Sequence, residues 1–158
     1  MNVDLPNPSA RPNRLPLVGW LLIVLLLAVS FFSGVSVWAG QVIQAEEMFA
    51  PAWLHPALVL HGCLFPVQCI IFGILLAHHI RVGWQLRANL ISGFAMELVF
   101  AGLILSGVGL YYVGAEEWRE RLVWAHRILG LLLPIALAAH VVLGIRWGRQ
   151  AERTARRG

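Results

Sequence analysis

The stretch Trp124-Ala125-His126-Arg127-Ile128-Leu129-Gly130 leads into an apolar run from Leu131 to Ala139 and ends on His140. Two histidines fourteen positions apart thus stand in a segment built mainly from Leu, Ala, Val and Ile. On an α-helix that spacing is almost four turns and ~21 Å, so the two imidazoles share one face to within roughly 40°. Ionisable side chains inside an apolar span are costly and mark function. The pattern points to a helix face that holds two metal-centred cofactors at two membrane depths.

The rest of the chain supports a membrane setting. Of its 158 residues, 59% are hydrophobic and only 13% are charged. That is more apolar surface than a water-soluble domain of this length can hide. Runs of ~20 apolar residues are long enough to cross a bilayer, and four occur, at about 17–39, 56–80, 88–113 and 122–146. Val37-Trp38-Ala39 looks like a cleavage site, but the apolar run before it is too long for a signal peptide, so the first run reads as a retained span. The expected fold is all-α, an integral membrane four-helix bundle over 17–147. A disordered N-terminal tail at 1–16 and a basic tail at 148–158 flank it.

Charge orients the bundle. The formal net charge is +4, and every cation is an arginine, since the chain has no lysine. Arg11 and Arg14 precede the first span, Arg81 and Arg87 join the second to the third, and Arg146, Arg149, Arg153, Arg156 and Arg157 follow the fourth. The other two connections carry Glu46, Glu47, Glu116, Glu117 and Glu120, with only Arg119 and Arg121 beside them. Sorting by membrane side argues against a nucleic-acid surface and, by the positive-inside rule, puts both termini in the cytoplasm. Trp20, Trp84 and Trp147 then gather at the inner ends, and Trp38, Trp53, Trp118 and Trp124 at the outer ends, as an aromatic belt should. Cys63 and Cys69 lie six apart within one predicted helix, poorly placed to bridge each other.

Two depth layers of histidine emerge. His61 lies just inside the outer edge of the second span and His126 just inside that of the fourth, while His79 (or its neighbour His78) and His140 lie toward the inner edges. Facing imidazoles at matched depth are how a bundle holds b-type haem. Gly62 and Gly130, with Gly34 or Gly107 opposite, would make room for the macrocycle, and Arg127, Arg119, Arg81 and Arg87 at the rims could meet its propionates. One dimension strains the scheme. His61 to His79 spans ~27 Å of helix against ~21 Å from His126 to His140. A kink at Pro66, a different tilt, or use of His78 or His55 would absorb the difference.

Weaker signals remain. Ser33-Gly34-Val35, Ala45-Glu46-Glu47 and Trp53-Leu54-His55 recur in order as Ser106-Gly107-Val108, Ala115-Glu116-Glu117 and Trp124-Ala125-His126, about 70 positions on. That repeat would align His55, not His61, with His126. Glu97, near mid-membrane, reads either as a quinone-site or proton-relay carboxyl or as a neutral acid bonded to a neighbouring helix.

The pattern His61-Gly62, His79-Ile80, Ser106-Gly107-Val108-Gly109-Leu110-Tyr111-Tyr112 and His126-Arg127-Ile128-Leu129-Gly130 with Pro134 and His140 resembles the small bacterial four-helix di-haem b-type cytochromes. These belong to the group that includes membrane subunits of hydrogenases and formate dehydrogenases. The resemblance covers about 56–148 and implies two haem b groups, with His61, His79, His126 and His140 as ligands. It also implies a multi-pass protein of the bacterial inner membrane that passes electrons to or from a redox partner protein or quinone, alone or in an oligomer. Two departures stand out: the first span has no histidine, and the second-span pair is wider than usual. The rival function is a non-haem membrane anchor or assembly subunit with interfacial histidines. A retinal protein is excluded, because its Schiff base needs a lysine.

Overall fold

The structure is a computed structural model that describes residues 15–87 and 89–155. Residues 1–14, Arg156 and Arg157 lie outside the described residues, and with them most of the expected N-terminal tail and part of the charge argument. Among the described residues the chain is all-helical with no strand. Its four long helices are α1 (Leu17–Glu47), α2 (Leu54–Gln85), α3 (Leu90–Tyr112) and α4 (Glu116–Ala155). Each is long and apolar enough to cross a membrane. Two ends of the bundle are named here by what they carry: a loop end, with the connections after α1 and α3, and a terminal end, with the connection after α2.

The helices overrun the apolar stretches. α1 continues through Gln41–Glu47, a run of good helix formers, and stops only where Met48 takes a left-handed conformation (φ 63°) ahead of Pro51. The connection between the first two apolar runs (about 17–39 and 56–80) therefore shrinks to residues 48–53. α4 opens on Glu116 and Glu117, whose charges suit the positive end of the helix dipole. It then runs to Ala155, so helix replaces the separate tail expected from 148. Within α2, Pro66 removes one backbone donor, and Leu76–Ile80 forms a π-turn that holds both His78 and His79. Between α2 and α3 the chain reverses through Arg87 and Asn89, both with positive φ (50° and 51°). Asparagine accepts that conformation more readily than most residues.

Packing makes two hairpins. α1 lies chiefly on α2 and α3 chiefly on α4, while contacts between the hairpins are sparse. Small residues bring the partners close: a Cβ at Gly102 would stand 2.8 Å from Leu129 Cδ1, and one at Gly40 2.8 Å from Leu54 Cδ1. Without a water-driven hydrophobic force between helices, such close backbone approach supplies the van der Waals contact that holds them. Mid-bundle, Leu27, Phe100 and Leu133 form the buried core. Phe72 of α2 stacks on Phe100 of α3, with ring centres 5.0 Å apart and planes 6° from parallel. That stack joins the hairpins at the centre. The outer faces stay apolar, as at Leu21, Ile70, Leu105 and Ile135.

Removing the Phe100 ring should therefore cost far more than removing an outward leucine. Phe100→Ala is expected to lose about 3–5 kcal/mol of unfolding free energy in detergent micelles. Leu105→Ala, at 71% exposure, should stay within about 0.5 kcal/mol. Equal losses in a denaturant titration of the two variants would contradict this account of the core.

Candidate metal centres

Four histidines meet in two pairs, one pair near each end of the bundle. His61 of α2 faces His126 of α4 with ring centres 6.1 Å apart and planes at 87°. His79 of α2 faces His140 of α4 at 6.2 Å and 79°. The unequal spacing along the two helices does not prevent this. The π-turn that carries His79 winds more widely than an α-helix, and together with Pro66 it accompanies the near-identical pair separations. His78 points elsewhere: it is exposed, and its Nδ1 lies 3.1 Å from Ile74 O one turn back. His55 is exposed in the first turn of α2.

Serines fix the rings. Among the described residues, the buried polar side chains are Ser30, Ser33, Ser92 and Ser106. Ser33 Oγ lies 3.0 Å from His61 Nδ1, Ser106 Oγ 2.9 Å from His126 Nδ1, and Ser92 Oγ 3.2 Å from His140 Nδ1. Each hydroxyl donates its proton to a carbonyl about one turn back on its own helix: Ser33 to Ser30 O, Ser106 to Gly102 O and Ser92 to Asn89 O. A hydroxyl has only one proton to give. The imidazole Nδ1 must then be the donor, and it donates to the serine oxygen. His61 Nδ1 also reaches Ser30 O at 3.0 Å. The neutral tautomer that results carries its lone pair on Nε2, across the ring from the serine.

Nearby groups hold this arrangement. Gln68 of α2 donates through Nε2 to Ser30 Oγ, and Asn89 Nδ2 donates to His140 O at 3.1 Å. Glycine follows each anchoring serine, and a Cβ at Gly34 would stand 2.9 Å from His61 Cε1, so no larger residue fits without moving the ring. A Cβ at Gly107 or Gly93 would meet His126 Cε1 at 3.6 Å or His140 Cε1 at 3.9 Å, which is ordinary van der Waals contact.

The pair separation limits what could lie between the rings. Two metal–imidazole bonds of ~2 Å, with each ring centre ~1 Å behind its nitrogen, put the centres ~6 Å apart. A direct hydrogen bond between the nitrogens, at ~3 Å, would bring them to ~5 Å. The observed separations leave room for a metal bound from two sides, and they also fall in the range of edge-to-face ring pairs. Among the described residues no group of three or more His, Cys, Asp or Glu side chains comes together. Each pair thus supplies two donors, short of the four of a closed tetrahedral zinc site. A macrocycle with four nitrogens of its own needs two axial donors.

The remaining expected residues are distributed as follows. Gly62, beside His61, would place a Cβ 2.7 Å from Tyr111 Oη. With Leu58, Val59, Cys63 and Tyr111 it lines a groove of about 380 Å³ on the seam between α2 and α3. Gly130, one turn along from His126, borders open space. Arg127 is engaged across the other seam. Its guanidinium donates to Gln41 Oε1 at 2.8 Å and lies 5.1 and 5.2 Å from the ring centres of Trp38 and Trp124. Cys63 and Cys69 are both free thiols.

The repeat needs correcting. Ser33-Gly34 and Ser106-Gly107 are equivalent in structure, but their histidine partners are His61 and His126, so the alignment of His55 with His126 does not hold. The anchoring serines were missed as site residues, although a signal was present. Ser92-Gly93 and Ser106-Gly107 are fourteen apart on α3, the same spacing as His126 and His140 on the antiparallel α4.

The Arg127 contacts span α1 and α4, where the hairpins touch least. Arg127→Ala should cost about 1–2 kcal/mol of stability through lost cation–π and hydrogen-bond contact. Arg121→Ala breaks contacts within α4 alone, an exposed i,i+4 ion pair with Glu117 and a cation–π contact with Trp118, and should cost under about 1 kcal/mol; unfolding titrations of both variants measure the difference. No family model matches the chain, and neither a curated protein nor a solved structure matches it.

Proposed function

We propose that this chain is a transmembrane electron-transfer protein that binds two b-type haems, one between His61 and His126 and one between His79 and His140. The observation that carries the reading is the pair of facing imidazoles at each end, three of the four locked by serine with Nε2 as the lone-pair nitrogen. Two unprotonated nitrogens in an apolar layer are unfavourable unless something electron-poor lies between them. Haem, when bound, supplies one-electron exchange at iron.

The chain's own residues do the rest. The serines orient the rings and make Nε2 more basic by accepting from Nδ1–H, the usual support for a metal-bound histidine. Gly34, Gly93 and Gly107 let the rings lie close to α1 and α3. The sparse seam between the hairpins, with its groove at Gly62, gives a flat ligand room to spread. Phe72, Phe100, Leu27 and Leu133 fill the layer between the two sites and exclude water from it. Arg127 could turn from Gln41 to a propionate carboxylate with a gain in charge pairing.

In this reading the four helices cross a bacterial inner membrane with both termini in the cytoplasm, as the arginine asymmetry argues. The loop-end site would exchange electrons with a periplasmic protein and the terminal-end site with quinone or a partner subunit.

A reduced-minus-oxidised spectrum of protein made with ample haem tests the proposal directly. Two haems per chain and a b-type α-band are expected, and no α-band would refute it. His126→Ala and His140→Ala should each remove one haem and spare the other. Ser106→Ala should keep both ligands yet weaken haem binding at its site about 10–100-fold.

A further inference from the structure

Glu97 is the only carboxylate in the four apolar stretches. A lone ionisable group at membrane depth is expensive and is retained for a function, with a definable partner. Its partner is Trp84 of α2, whose indole Nε1 donates to Glu97 Oε1 at 3.1 Å. The bond crosses the seam between the hairpins, because Glu97 belongs to α3. It also brackets one histidine pair. Trp84 follows His79 by five residues on α2, and Glu97 follows Gly93, the glycine against His140, by one helical turn on α3. Along α3 the carboxyl is four residues from Gly93 and nine from Ser106, the anchor at the other site, so it lies nearer the His79–His140 site, on the exposed face of the seam.

Resting on the two-haem reading, we infer that Glu97 is the proton-exchanging group of the His79–His140 site. It takes up one proton from the terminal-end aqueous face as that site gains one electron and returns it when the electron leaves. The electron comes from a one-electron reductant such as a reduced iron protein. Iron goes from the ferric to the ferrous state, the carboxylate becomes a carboxylic acid, and no other bond forms or breaks. Net charge around the site is then the same before and after, which matters where water cannot screen it. A unit charge at about 10 Å, in an effective dielectric of about 20, changes a carboxylate's proton affinity by about tenfold.

Other charges at that end do not duplicate the role. On α2 they are His78, His79 and Arg81, with Arg87 in the turn; on α4 they are His140, Arg146, Arg149, Glu152 and Arg153, with Glu152 twelve residues (~18 Å of helix) beyond His140; the apolar length of α1 has none. His79 and His140 are the proposed ligands, and the arginines stay charged throughout the accessible range. His78 is turned to its own helix.

The test is a redox titration of the purified, haem-loaded protein, followed optically at several pH values. One of the two transitions, the one missing from His140→Ala, should fall with rising pH by ~59 mV in all, at roughly half that per pH unit where it is steepest, as a tenfold change in proton affinity requires. The other should be flat. Glu97→Gln should flatten the first transition without moving the second, and Glu97→Asp should restore part of the slope. Where Glu97→Gln fails to load the second haem, Trp84→Phe keeps the carboxyl and should shift the pH window over which the slope appears. A slope that survives in Glu97→Gln, a window unmoved in Trp84→Phe, or two pH-independent transitions in the unaltered protein overturn the inference while the haem reading stands. A preparation without the b-type band overturns both.

Discussion

An imidazole among aliphatic side chains has two nitrogens to satisfy, and this bundle satisfies one of them with a neighbouring helix. The serine hydroxyl gives its proton to the carbonyl one turn back and so can only accept from the ring. That single accounting rule fixes the tautomer at His61, His126 and His140. It also fixes the helix pairing, because the serines lie on α1 and α3 and the histidines on α2 and α4. At Gly34 the same contact demands glycine. A side chain there would push the ring off its anchor.

From this follows the division into hairpins. Each serine–histidine bond for which both partners are described lies within a hairpin, α1 to α2 or α3 to α4. What joins the hairpins is different in kind: facing imidazoles, the Phe72–Phe100 stack, the Arg127 clamp on Trp38 and Gln41, and the Trp84–Glu97 bond. The within-hairpin contacts set geometry, and the between-hairpin contacts set what fits in the seam.

Much of the fold was legible in the sequence, for a physical reason. Apolar length and the bilayer's thickness decide the number of spans almost without regard to detail. The histidine layers were legible too, since 3.6-residue periodicity puts His126 and His140 on one face. Helix ends were not, because Gln41–Glu47 and the residues after Trp147 are polar yet good helix formers, so polarity there did not mean loop. The π-turn at Leu76–Ile80 leaves no mark in composition. It was visible beforehand only as a distance that would not close. The serines did not stand out as site residues, because their partnership with histidine depended on helix neighbours that the sequence does not state.

The seam has a consequence for biogenesis. Each hairpin carries its own packing and its own ring anchors, so the two can enter the bilayer one after the other and meet sideways within it. Their final closure depends on few protein–protein contacts and becomes sensitive to whatever occupies the space between them. On the proposed two-haem reading, tertiary assembly is thereby tied to supply of the group that fills the seam. In that reading a chain without the group is a pair of loosely associated hairpins, open to the proteases that police the membrane, and a chain that has received it is clasped shut.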